Sequence, residues 1–224
     1  ANRFDLYFGI SAGAVVTGLL SQGYSVDEVM AGIAGHPGGR IPALDLRLFR
    51  LGHLNLRDMA GRLATAGKTS VRLIRDRLQR RETNLRDALL LDFSDIVGAP
   101  FRSDGYERLL RTALTGPGAT NDFRQLGNGR RLFVGASDQD LRSHVLFGSD
   151  GWDHVPISKA IQASLSLHPA FAPVEIDGHW YEDGAVTRTS NFVEAIRRDT
   201  TLVLVIDPFV PYVSKKPGVM RQRG

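Results

Sequence analysis

Two short motifs carry residue types that could do chemistry together. Ser11 lies in Gly9-Ile10-Ser11-Ala12-Gly13, a G-x-S-x-G. In that pattern the serine occupies a strained strand-to-helix turn that holds its hydroxyl out from the sheet edge. Gly9 and Gly13 are expected where a side chain would collide with the turn or the neighbouring strand. The same turn puts Ser11 at a helix N-terminus, where the Ala12 N–H could receive a developing oxyanion. A serine nucleophile also needs a base. The six histidines are His36, His53, His144, His154, His168 and His179, and none follows Asp183. A Ser-His-Asp triad would have to use His168 or His179, for instance with Asp153 as the acid, although His179 falls inside a hairpin strand rather than on a loop. The other candidate base is the carboxylate of Asp183, in Asp183-Gly184-Ala185, where Gly184 and Ala185 leave space around it. With a reference pKa of about 3.9, such a group is a weak base but is ionised at neutral pH.

The elements that must position these groups are partly written in the chain. Phe4, Leu6, Phe8 and Ile10 mark a strand before the serine, and Val15, Val16, Leu19 and Leu20 a helix after it. Ser25 followed by Glu28 is a capping box and predicts a second helix, which ends in the breaker-rich loop from Gly35 to Arg40. Residues 41 to about 115 read as a mostly helical insertion. It includes a basic amphipathic stretch, Ser70 to Arg81, and a helix marked by Leu109, Leu110 and Leu114. Strands are expected at 132–136 and 143–147, then a helix opened by Pro156. An Asp177-Gly178 turn between two extended pieces predicts a hairpin leading to Asp183. A helix from about 191 to 198 precedes Thr201 to Ile206, a run apolar on both faces that reads as a central parallel strand. The whole is one α/β domain over 1–207, with a basic, Pro-containing tail over 208–224.

The two motifs, in this order and 172 residues apart (183 minus 11), resemble those of the patatin-like phospholipases. The run between them is also similar: Ala163-Ser164, then Pro169, Phe171, Pro173, Gly178, Tyr181 and Asp183-Gly184, with Asn191 beyond. Pro169 stands one place later than is usual in that family, and Phe192 replaces a common proline. The resemblance implies a three-layer α/β/α domain with a central, mostly parallel sheet. It implies a Ser–Asp dyad, with Ser11 as nucleophile and Asp183 as base, acting on a lipid ester of the phospholipid or acylglycerol class. Gly9, Gly13 and Gly184 would then be geometric, and neither a metal nor an organic cofactor is required. The family's Gly-rich oxyanion loop lies upstream of the nucleophile strand, so that loop and its strand are expected before Ala1. Within the chain, the Ala12 N–H is the remaining obvious oxyanion donor. The rival readings are an esterase that uses His168 or His179, and a lipid-binding module of the same fold without turnover.

Bulk properties narrow the field further. The chain has 224 residues, no cysteine, 42% hydrophobic and 23% charged residues, which suits a globular α/β core and excludes disulfides and thiolate chemistry. Formal net charge is +4 and the sequence pI about 9.7. Apart from Lys68, Lys159, Lys215 and Lys216, the 28 basic residues are arginines. This charge suits approach to an anionic membrane and to nucleic acid alike, but no nucleic-acid-binding motif accompanies it, so peripheral contact with an anionic membrane and no nucleic-acid partner are expected. No apolar run approaches the roughly 20 residues of a bilayer span. A cytoplasmic or membrane-peripheral location is expected, and the oligomeric state is left open.

Overall fold

The computed structural model describes residues 4–36, 39–41, 101–168 and 170–207. The basic amphipathic stretch at 70–81, most of the helical insertion and the 208–224 tail lie outside the described residues. By contacts the chain divides into two units, residues 1–191 and 192–224.

In the first unit the sheet is built on one central strand. Strand β1 (Leu6–Ile10) alternates between half-buried and buried residues, as a strand with one covered face should. It pairs in parallel with β2 (Arg131–Asp138), in the register Leu6↔Arg131 to Ile10↔Gly135. After Arg131, every residue of β2 is buried, the pattern of a strand covered on both faces. Strand β3 (Ser143–Phe147) and the hairpin β4 (Val174–Ile176)–β5 (His179–Asp183) add antiparallel pairs, so the described sheet is mixed. The hairpin turns at Asp177 and Gly178, both at positive φ (52° and 81°), the backbone a two-residue I′ turn demands.

Helix α1 (Ala12–Ser21) follows β1 directly and packs on β1 and β2. Helix α2 (Val26–Ile33) starts at the expected capping box: Glu28 N–H donates to Ser25 Oγ at 3.2 Å, and Ser25 N–H donates to Glu28 Oε2 at 2.8 Å. Helix α3 (Asp104–Leu114) packs on α4 (Ile157–Ser164), which in turn lies against β2 and β5. Gly18 in α1 lets the Ile161 side chain of α4 approach closely; a Cβ there would stand 2.7 Å from its Cδ1. Beneath the hairpin, Phe147, Trp152 and Tyr181 pack edge to face, with ring centroids 5.3–6.2 Å apart. Each such pair adds about 0.5–1.5 kcal/mol beyond its area burial. These layers are the α/β architecture expected from the sequence.

The second unit opens with the short helix α5 (Phe192–Ile196), where Arg198 pairs with Glu194 at 3.0 Å. One expectation fails here. Thr201 to Ile206 forms no strand. Apolar composition predicts burial only where a partner surface exists, and a strand needs a neighbour for its N–H and C=O groups.

Candidate active site

Ser11 stands where β1 gives way to α1, with φ 54° and ψ −129°. An L-residue pays about 1–3 kcal/mol to sit in this region, which glycine fills most readily. The sharp turn brings α1 back over β1. A Cβ on Gly9 would run into Thr17 Oγ1 and the Ala14 backbone, so the first glycine of the motif is required by close packing. Gly13 differs from expectation: a Cβ there meets nothing within 4 Å among the described residues. It lies exposed in the first turn of α1.

The turn is pinned from below. The Ser11 N–H donates to Ser164 Oγ at 2.8 Å, and the Ser164 hydroxyl donates to the Gly135 carbonyl at 2.6 Å. One fully buried hydroxyl at the end of α4 therefore ties the serine turn to the central strand. Ala12 is exposed and its N–H heads α1, so it is one of the donors that a helix N-terminus leaves unpaired.

Asp183 reaches the same place from the other side of β2. Ile10 pairs with Gly135 and Asp183 with Ala136, so the strands flanking β2 end at one level of it. The Ser11 side chain lies close enough to the Asp183 carboxylate to favour its ionised form. Asp183 is only 1% exposed, and its Oδ1 accepts the Ala185 N–H at 2.9 Å. Burial, the largest influence, pushes its carboxyl above the ordinary value, and the charge of Glu182 adds to this. The Ser11 hydroxyl and the Ala185 N–H pull the other way. A carboxylate so placed is a stronger base than one in water. A Cβ on Gly184 would strike the Gly135 carbonyl, so β5 can lie this close to β2 only with glycine there.

The histidines weighed as alternative bases are His168 and His179. His168 is exposed, and His154 pairs with Asp177 at 2.8 Å. His179 lies four residues before Asp183 on an extended strand, about 13 Å along it, with Nδ1 3.3 Å from Asp138. Asp153 sits in the loop before α4. A further polar network surrounds the Asp183 backbone. Ser137 Oγ donates to the Asp183 carbonyl at 2.9 Å and meets Thr187 Oγ1 at 2.8 Å. His144 bridges Thr187 Oγ1 (2.9 Å) and Asn191 Oδ1 (3.0 Å). Sequence reasoning gave none of Ser137, His144 or Ser164 a role at this site. The only signal for Ser164 was its place in the Ala163-Ser164 pair.

The chain shows 18% identity to VipD from Legionella pneumophila, with a TM-score of 0.43, covering 83% of this chain and 41% of that one. This chain thus spans less than half of VipD's length. No curated protein matches. Residues 41–196, more than half of the sequence, match the model of the Patatin-like phospholipase family, a span that contains Asp183 and begins after Ser11. By that match the chain belongs to the patatin-like phospholipase family.

Proposed function

We propose that this protein is a lipid acyl hydrolase in which Ser11 attacks a carboxylic ester and Asp183 accepts the serine proton. The observation that supports this reading is that β1 and β5 end at one level of β2, which sets Ser11 beside the buried Asp183 carboxylate, whose basicity is raised. As the Oγ–C bond forms, the proton passes to Asp183 and the carbonyl oxygen becomes an oxyanion, which the Ala12 N–H and the α1 N-terminus stabilise. Collapse expels the alcohol, which leaves with the proton from Asp183. Water then attacks the acyl-serine, with Asp183 taking its proton, and the acid leaves as Ser11 regains its hydrogen. Family membership supports a lipid ester as substrate, and esters of phospholipids or acylglycerols are the class proposed here.

The test uses the purified chain with a fluorophosphonate probe and with phosphatidylcholine vesicles, neutral or doped with anionic lipid. Labelling and fatty-acid release that disappear in Ser11→Ala and Asp183→Asn, but persist in His168→Ala and His179→Ala, support the dyad. Loss in either histidine variant with retention in Asp183→Asn overturns it in favour of an imidazole base. No labelling and no release by any form overturns the hydrolase reading and favours a lipid-binding module.

A further inference from the structure

Away from Ser11, the β2–β3 turn and the start of β5 bring together a second set of groups that hydrolysis does not use. Asp138, Asp140 and His179 each offer a ligand atom, and these atoms lie within 4.8 Å of one another. Asp138 is 2% exposed. Its Oδ1 accepts the N–H groups of Asp140 and Leu141, each at 2.9 Å, which fixes the carboxylate and turns Oδ2 toward His179. His179 Nδ1 lies 3.3 Å from that oxygen, yet it is buried without a hydrogen-bond partner.

A second buried polar group points to the same spot. Tyr181 is fully buried and its hydroxyl has no hydrogen-bond partner. It sits opposite Asp138 in the β2–β5 register and two residues from His179, so the three side chains leave the same face of the sheet. A buried phenol hydroxyl without a partner, beside two carboxylates and an imidazole nitrogen that makes no hydrogen bond, is an arrangement that an added positive ion and its water would complete.

The geometry points to a divalent-cation site formed by Asp138 Oδ2, Asp140 and His179 Nδ1, suited to an ion of borderline hardness, Zn2+ or Mn2+. Two carboxylates with one imidazole favour such ions over Mg2+. Ligands about 2.1 Å from a tetrahedral zinc stand roughly 3.4 Å apart. The 3.3 Å between Asp138 and His179 meets that spacing, and Asp140, on the exposed turn, can close the remainder. Water fills the open positions, and the Tyr181 oxygen can accept from it. The ion would clip the β2–β3 turn to the first residue of the strand that ends at Asp183.

The site stands independently of the hydrolase reading, because its ligands lie outside the Ser11–Asp183 pair. The test is calorimetric titration of chelator-stripped protein with ZnCl2 or MnCl2 in excess Mg2+, together with the thermal midpoint. One ion is expected per chain, with a rise in midpoint, since the ion binds the folded state. Asp140→Asn and His179→Gln, both at solvent-accessible positions, should weaken binding by at least the roughly 10–100-fold that losing an outer-shell partner costs. Ser11→Ala should bind as the wild type does. Absence of stoichiometric binding by both ions, or equal affinity in both ligand variants, overturns the proposal.

Discussion

The Ser11 N–H is held at 2.8 Å by the hydroxyl of Ser164, which itself donates to Gly135 at 2.6 Å. Removing that hydroxyl leaves a main-chain donor and a buried carbonyl each short of a partner, which costs about 1–3 kcal/mol. Ser164→Ala is therefore expected to lose about that much stability in urea unfolding. It should lower kcat more than it raises KM, because the serine turn loosens while the rest of the cleft remains.

Ser11 stores strain in its own backbone, at φ 54°. Ser11→Gly relieves it, although the glycine costs entropy in the unfolded chain. The expected outcome is a gain of about 1 kcal/mol in urea unfolding, with complete loss of ester cleavage and of fluorophosphonate labelling. A loss of stability would mean that the hydroxyl contacts outweigh the strain.

The glycines of the serine motif should separate under substitution. Gly9→Ala drives a methyl group into the Ala14 backbone, which cannot move aside, and overpacking of this kind costs about 1–3 kcal/mol. Gly13→Ala meets open space in the first turn of α1 and should be neutral or stabilising by up to about 1 kcal/mol. Paired thermal melts of the two variants check the contrast.

Asp183 gives a pH signature. Its native carboxyl is raised, first by burial, so between the unfolded and native values the native state holds more protons. Stability therefore falls as pH climbs through that window, and the penalty persists above it. Asp183→Asn removes the buried charge, so at neutral pH its melting temperature should equal or exceed that of the wild type. Below about pH 4, where unfolded carboxylates are themselves protonated, this advantage should vanish. Turnover in the same variant should drop about 10²–10⁴-fold, the usual contribution of a positioned base. In the wild type, kcat/KM should fall on acidification at a pH above the ordinary aspartate range.

Much of this arrangement was legible because its signals are local. The capping box of Ser25 and Glu28, the Asp177-Gly178 turn and the strand before Ser11 each depend on neighbours a few residues away, and each forms as expected. What stayed hidden depends on partners far along the chain. Ser164 reaches Ser11 across 153 positions, and no spacing rule announces such a bond. Asp138 and Asp140 lie close to each other in the chain but far from His179, and only the hairpin sets that histidine against them. Gly13 looked sterically required because it ends a motif, yet the space beside it is open. Thr201 to Ile206 has the composition of a core strand, but composition cannot supply a pairing edge.

The shared dependence of β1 and β5 on β2 has a consequence for biosynthesis. A ribosome releases the serine-bearing segment early, the middle rung much later, and the acid-bearing hairpin later still. Closing such long loops before any local reward is slow. On the proposed mechanism, a nascent or half-assembled chain would thus carry Ser11 without its proton acceptor, and hydrolytic capacity would arrive only when the last of the three strands docks.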